Sequence, residues 1–185
     1  NTANMLLTYS VTWFEPLKIA YSVGVDGISV VMILLSAIIV FTGTFASWQL
    51  KPLTKEYFLW FVLLSIGVFG FFISTDMFTM FMFYEVALIP MYLLIGVWGT
   101  GPKEYSAMKL TLMLMGGSAL LILGILGIYF FSGAQTMNVA DLAQLHAMPK
   151  SIQNIFFPFV FIGFGVLGAL FPFHTWSPDG YASAP

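Results

Sequence analysis

Three side chains that can carry a proton stand in otherwise apolar stretches of the sequence, namely Glu85, Lys109 and His174. Glu85 is the only charged residue between positions 77 and 99, where the sequence includes YEVALIPMYLLIG. A charge at the middle of a membrane helix costs about 2.5–3.5 kcal/mol, so such a residue is expected to be protonated, paired or hydrated. This pattern favours a role in proton movement, and an inert protonated acid in a helix contact is the alternative.

Pro90 follows Glu85 by five residues and strengthens the functional interpretation. A proline inside a helix leaves the carbonyl group four residues earlier, here that of Val86, without its donor, and it usually kinks the helix. The sequence thus places a free carbonyl group beside a carboxyl group, a pair that can hold water or a proton. A simple bend is the alternative, because prolines are tolerated in membrane helices.

Several polar residues have a structural explanation beside a functional one. Lys109 can be the partner of Glu85, or it can be a snorkelling anchor at a helix end. His174 can relay protons because histidine titrates near neutral pH, or it can cap carbonyl groups in a turn. Asp26 is expected to cap the helix that follows it, and Asp76 to be a loop residue.

The composition predicts that these residues lie in a membrane. Of 185 residues, 59% are hydrophobic and 8% are charged, whereas a soluble domain has about 25% charged residues. Apolar runs of about 20 residues recur, and in lipid they must pair their own backbone groups as helices. The predicted fold class is an all-α polytopic membrane protein.

Several function classes are excluded by what the sequence lacks. Six lysines without arginine, at a net charge of −2, provide no face for nucleic acid. The absence of cysteine excludes disulfides and cysteine-ligated iron–sulfur clusters in this chain. His146 and His174 are too few for a haem or metal cluster unless other chains contribute, so no bound cofactor is expected here.

Five spans are predicted from the apolar runs. They cover residues 27–46, 57–75, 77–99, 110–131 and 154–173. Residues 1–26 are predicted to form an extramembrane segment, and residues 27–185 to belong to one larger membrane domain. The first residues lack an initiator methionine and a signal-peptide pattern, so we expect the chain to be incomplete at both ends.

The lysines predict the orientation of the spans. The loops at 48–57 and 100–109 each contain two lysines, whereas the STDM turn contains none. By the positive-inside rule the two lysine loops face the cytoplasm or the mitochondrial matrix. The N-terminal segment, the STDM turn and the loop at 132–151 are then expected on the outer side, where Asn138 is predicted to cap a short helix.

The last span predicts a broken helix. Pro172 and Pro178 prevent a continuous helix there, and three glycines precede them. Broken helices line cavities in transporters, and this one carries His174.

Four sequence blocks resemble the antiporter-like subunits of respiratory complex I, and most of all the M type. The blocks are GVDGIS before a span, YEVALIPMYLLIGVWG, KEYSAMKLTLMLMGGSALLILGI and FPFHTWSPDG, in the order and spacing of that family. The resemblance implies a fold of about fourteen transmembrane helices with inverted repeats and broken helices. This chain would hold the third to the seventh span.

The resemblance also implies a function, a proton-translocating subunit of an NADH:quinone oxidoreductase. NADH, FMN, iron–sulfur clusters and quinone would then be bound by partner subunits, and other membrane-arm subunits and the lipid bilayer would surround this chain. The expected membrane is the bacterial inner membrane or, as second choice, the mitochondrial inner membrane. Glu85 is similar to the family's essential glutamate, Lys109 to its sixth-helix lysine, and Lys103 stands where an arginine is frequent.

The sequence departs from the family pattern in the seventh helix. The family has a lysine there that pairs with the glutamate, but the matching position is Leu167, and no lysine occurs from Ser151 to Pro185. Leucine cannot exchange a proton, so Lys109, His174 or a lysine outside this sequence would have to act instead. Further departures in the following loop are Ser177, Gly180, Tyr181 and Ser183.

Three alternatives remain beside this function. A subunit of a multisubunit cation/proton antiporter or of a membrane-bound hydrogenase would share the fold. A non-pumping membrane anchor in a respiratory assembly is favoured by Leu167. An ordinary solute carrier is disfavoured, because the sequence shows no polar substrate pocket.

Overall fold

The computed structural model of the protein describes residues 5–133, 136–144 and 149–185. The chain forms two strands and seven helices in these ranges. They are β1 (Leu6–Phe14), β2 (Ile19–Val25), α1 (Gly27–Ala46), α2 (Thr54–Ile73), α3 (Met77–Trp98), α4 (Lys103–Phe131), α5 (Val139–Gln144), α6 (Lys150–Leu167) and α7 (Trp176–Ser183). Five of the helices, α1 to α4 and α6, are long and apolar enough to cross a membrane. The predicted polytopic helical fold is confirmed.

The helix bounds differ most from the prediction at α6. The predicted span 154–173 is wrong at both ends, because α6 begins at Lys150 and ends at Leu167. Ala169 has a positive φ of 53°, a left-handed conformation that stops the helix, and the chain then turns until Trp176. The predicted break is present. Pro172 lies within it, whereas Pro178 lies in the first turn of α7, where proline is tolerated.

Residues 6–25 form an antiparallel hairpin that the sequence analysis does not predict. Val11 pairs with Tyr21 and Ser10 with Ser22, whose hydroxyl oxygens lie 2.6 Å apart. The hairpin precedes α1, in the segment predicted to lie outside the membrane.

The three segments expected together on one side of the membrane meet at one end of the helices. Thr75 donates its backbone N–H to the carbonyl of Ser22 at 3.0 Å, and Met77 donates to Met137 at 2.9 Å. The hairpin, the α2–α3 turn and the segment before α5 thus form one cluster, which we call the outer end. At the opposite end, the indole N–H of Trp98 donates to the carbonyl of Pro52 at 2.7 Å and joins the end of α3 to the first lysine loop.

The core lies where α4 packs against α3 and α6. Glycines let the helices approach: a Cβ on Gly117 would lie 2.8 Å from Cβ of Val166, and one on Gly163 would lie 2.8 Å from Cβ of Leu121. Such contacts are typical of membrane helices, which associate through close packing of small residues. By contrast, α1 has no buried residue and packs mainly against α2.

Candidate functional site

Glu85 lies near the middle of α3 with a carboxyl oxygen that is buried and unpaired. Its Oε1 has no hydrogen-bond partner among the described residues. The preceding Tyr84 is buried and donates its hydroxyl to the carbonyl of Leu114 at 2.9 Å, which fixes α3 on α4 at this level. Pro90 is buried inside the same helix and leaves the Val86 carbonyl without its usual donor, as predicted. An acid in this setting can take up a proton or bind a water molecule.

Lys109 is not paired with Glu85. Its Nζ lies 2.7 Å from Oδ2 of Asp179, in the one ion pair that the described ranges contain. The lysine also lies over the ring of Tyr105, with its Nζ 5.7 Å from the ring centroid. Lys103, at the start of α4, donates instead to the carbonyl of Val97 at 2.7 Å. The structure thus connects α4 to α7 through a charge pair that sequence spacing does not reveal.

His174 lies in the turn between α6 and α7. Its Nδ1 is buried and has no hydrogen-bond partner within the described part of the chain. The ring lies beside that of Phe171, with centroids 5.6 Å apart. Its backbone carbonyl accepts the N–H of Ser177 at 3.0 Å, whereas the buried ring nitrogen caps nothing. His146 lies outside the described residues.

A cavity of about 200 Å³ lies between α2, α3, α4 and α6, with Leu167 in its wall. The lining residues are Gly67, Val68, Phe71, Phe72, Tyr84, Ala87, Leu88, Met91, Leu114 and Leu167. The atoms that line it are apolar and offer water no hydrogen-bond partner. Leu167 thus adds no proton-carrying group to this side of α3.

Three polar residues cap helices. Asp26 accepts the Ser29 N–H at 2.7 Å, which confirms the predicted cap and lowers the pKa of this carboxyl below 3.8. Asn138 accepts the N–H of Ala140 at 2.9 Å and caps α5 as predicted. Asp76 lies in the turn before α3, as predicted, and there it caps that helix.

Asp76 is almost completely buried, at 2% exposure. Its Oδ1 accepts the N–H of Phe78 at 2.9 Å and of Thr79 at 3.1 Å. Burial raises the pKa of this carboxyl above 3.8 because desolvation outweighs the two bonds. The N–H groups of the first turn of a helix have no acceptor within the helix, and an aspartate directly before the helix commonly binds them. The sequence already contains this cap signal.

Metal binding has no support in the described residues. No three histidine, aspartate or glutamate side chains in these ranges come together as metal ligands, and the sequence has no cysteine.

Comparisons with known proteins place these features in a family. Residues 74–185 match the family described as NADH:quinone oxidoreductase/Mrp antiporter, transmembrane. The chain is 34% identical over 176 residues to NAD(P)H-quinone oxidoreductase chain 4-2 of Synechocystis sp., covering 94% of this chain and 31% of that protein. It is 32% identical over 176 residues to NADH-quinone oxidoreductase subunit M of Rickettsia bellii, covering 94% and 35%. The chain thus spans about a third of the length of these relatives.

Solved structures share the fold. A chain of respiratory complex I from Thermus thermophilus superposes with a TM-score of 0.88 at 22% identity, over 96% of this chain and 37% of that one. A chain of the archaeal membrane-bound sulfane sulfur reductase gives 0.85 at 25% identity, over 100% and 38%. A chain of the Mrp complex from Dietzia sp. gives 0.79 at 17% identity, over 96% and 20%. The family match covers more than half of the chain, which therefore belongs to the NADH:quinone oxidoreductase/Mrp antiporter family of membrane proteins.

Proposed function

We propose that this chain is part of a proton-translocating, antiporter-like subunit of a respiratory NADH:quinone oxidoreductase. The observation that carries the proposal is Glu85, a carboxyl group at the middle of α3 with a buried, unpaired oxygen. The relatives named as subunits of NADH- and NAD(P)H-quinone oxidoreductases support the class of complex. Redox cofactors would belong to partner subunits, other membrane-arm subunits would be the neighbours, and the bacterial inner membrane would be the location.

In this proposal, proton movement depends on which groups contact the unpaired oxygen of Glu85. Water or a nearby cation stabilises the carboxylate, whereas an apolar contact stabilises the neutral acid. A conformational change that alternates these surroundings therefore moves a proton, and its energy comes from differential stabilisation of the two arrangements. His174, with its own buried and unpaired nitrogen, is the second proposed station.

The test is Glu85→Gln in the full-length protein within its complex. Donor-driven proton uptake into inverted vesicles is measured per assembled complex, with electron transfer recorded in parallel. We expect uptake to fall while assembly is retained, because glutamine keeps the shape of the side chain and cannot exchange the proton. Glu104→Gln is the matched control, since Glu104 is exposed in the first turn of α4. Unchanged uptake in Glu85→Gln would contradict the proposal.

A non-pumping membrane anchor is the second candidate, and the apolar cavity beside Leu167 favours it. An anchor predicts that Glu85→Gln and Glu104→Gln both leave proton uptake unchanged. A subunit of a multisubunit cation/proton antiporter is supported by the fold shared with the Mrp complex. That function predicts proton movement driven by a sodium gradient without any electron donor.

A further inference from the structure

We propose that the ion pair of Lys109 and Asp179 is a clasp that holds the segment after α6 against α4. Lys109 then acts as a positioning residue for His174, and it does not exchange protons with Glu85. The role of Lys109 in positioning His174 rests on the proposed function. The clasp itself is a structural feature that can be measured separately.

The clasp is one of several polar contacts that join α7 to α4 and to the loop just before it. The hydroxyl of Ser183 donates to that of Ser106 at 2.8 Å in a buried position. The backbone N–H of Thr100 donates to the carbonyl of Ser183 at 2.9 Å. With the 2.7 Å pair of Lys109 and Asp179, these bonds hold α7 along the first turns of α4.

The backbone of Gly180 in α7 also lies close to the side chain of Leu110 in α4. A Cβ on Gly180 would lie 2.9 Å from Cδ1 of Leu110, and Leu110 is fully buried. Gly180 is one residue after Asp179, and Leu110 is one residue after Lys109. The charge pair therefore stands beside a tight contact between the Gly180 backbone and the Leu110 side chain.

His174 lies between this clasp and a second anchor on α6. The indole N–H of Trp176 donates to the carbonyl of Val166 at 2.9 Å, in a buried position. The backbone N–H of Leu170 donates to Gly165 at 2.7 Å. The turn that carries His174 is thus tied to α6 on one side and, through α7, to α4 on the other. Loosening the clasp would change where the unpaired ring nitrogen lies.

The same geometry argues against Lys109 as the partner of Glu85. An Nζ at 2.7 Å from a carboxylate oxygen is a short, charge-assisted hydrogen bond. Meanwhile Oε1 of Glu85 has no partner among the described residues. Exposure of the two clasp side chains, 25% for Lys109 and 43% for Asp179, limits the strength of the pair. Removing it should loosen α7 without unfolding the protein.

Disulfide trapping measures the clasp directly, since these 185 residues contain no cysteine and any cysteine elsewhere in the full-length protein is first replaced by serine. Ser106 and Ser183 are both replaced by cysteine in the full-length protein in its native membranes. Their hydroxyl oxygens lie 2.8 Å apart, which is compatible with a disulfide. Samples are denatured at successive times, and the rate of oxidation is followed by the loss of labelling with a polyethylene-glycol maleimide, since both positions are buried in the folded protein. This rate reports how closely α7 lies on α4, whatever the protein transports.

The variants are Lys109→Met, Asp179→Asn and the exchange Lys109→Asp with Asp179→Lys, with the exposed Lys55→Met as control. Each single variant is expected to slow trapping by about two- to five-fold, the size of an exposed ion pair. Each is also expected to lower proton uptake in the protein that keeps Ser106 and Ser183. The exchange is expected to restore both, and the control to change neither.

Two results would overturn the inference. Unchanged trapping in the single variants would show that the ion pair does not hold α7. Restored trapping with proton uptake still low in the exchange variant would show that Lys109 itself must carry a charge or proton on α4. If Glu85→Gln leaves uptake unchanged, the proposed function fails, and the trapping rates still decide the clasp.

Discussion

Asp76 and Glu85 are two acids nine residues apart, and the structure uses them in opposite ways. Asp76 is buried at the start of α3, and its Oδ1 accepts two backbone N–H groups. Glu85 lies inside α3 with a buried oxygen that accepts none. Burial of an acid is therefore weak evidence for function, because a buried acid can be a helix cap. The informative feature is a buried polar atom without a partner.

The contrast extends to the two regions that contain these acids. The outer end is held by backbone hydrogen bonds between three segments that are distant in sequence. The middle of the bundle is held by helix packing at glycines, and both buried unpaired side-chain atoms of the described residues, in Glu85 and His174, lie outside the outer end. We infer that the outer end supplies rigidity and that the bundle interior supplies the chemistry.

The largest effect on stability is expected from Asp76→Ala. Alanine leaves one buried and one partly buried N–H group without an acceptor, so the free energy of unfolding should fall by about 2–3 kcal/mol. Glu85→Gln should leave it unchanged or raise it, since no partner is lost. Thermal unfolding of the full-length protein in detergent, followed by tryptophan fluorescence, compares the two. Equal losses of stability would remove the distinction between a structural and a functional acid.

A somewhat smaller effect is expected within the bundle from Gly117→Ala. The added Cβ would lie 2.8 Å from Cβ of Val166, so α4 and α6 must move apart, at a cost of about 1–2 kcal/mol. Gly116→Ala is the matched control, because a Cβ there meets nothing within 4 Å. The control should be neutral or slightly stabilising, since alanine favours the helix. Equal behaviour of the two variants in the same unfolding assay would show that glycine packing does not hold this region.

The sequence alone predicts the helices and part of the site. Length and apolarity predict five spans, and proline and glycine predict the break that carries His174. The hairpin is not predicted because β1 is exposed along its whole length. A strand without a buried face need not alternate apolar and polar residues, which is the signal that predicts a strand. The pair of Lys109 and Asp179 is not predicted because 70 residues separate the partners. Contacts between distant segments depend on packing, which local patterns do not encode.

A smaller effect is expected from the pH dependence of the contribution of Asp76 to stability. This dependence tests whether Asp76 is a structural acid. Its folded pKa is raised above the ordinary value by burial, so folding favours the neutral form over the charged one relative to the unfolded chain. The contribution to stability is full below pH 3.8 and is lost as the pH rises through the folded pKa. Asp76→Asn keeps an acceptor oxygen and cannot ionise. We expect the stability advantage of this variant over the parent at pH 7 to shrink as the pH is lowered toward 4.

That expectation is checked by the difference in the free energy of unfolding between the parent and Asp76→Asn at each pH. The contributions of the other carboxyl groups cancel in this difference. A difference that grows as the pH falls would contradict burial as the dominant influence on Asp76.

The smallest effect is expected from the partly exposed cap of α1, and its pH dependence has the opposite sign. Asp26 accepts the Ser29 N–H, which lowers the folded pKa below 3.8, so its contribution is present above pH 3.8 and is lost as the pH falls through the folded pKa. Asp26→Ala should lower the free energy of unfolding by about 0.5–1 kcal/mol at pH 7. Asp26→Asn, which keeps the cap oxygen, should cost less. Because both aspartates cap a helix, only the depth at which each carboxyl lies can explain opposite slopes, and parallel slopes in the two difference curves would refute that explanation.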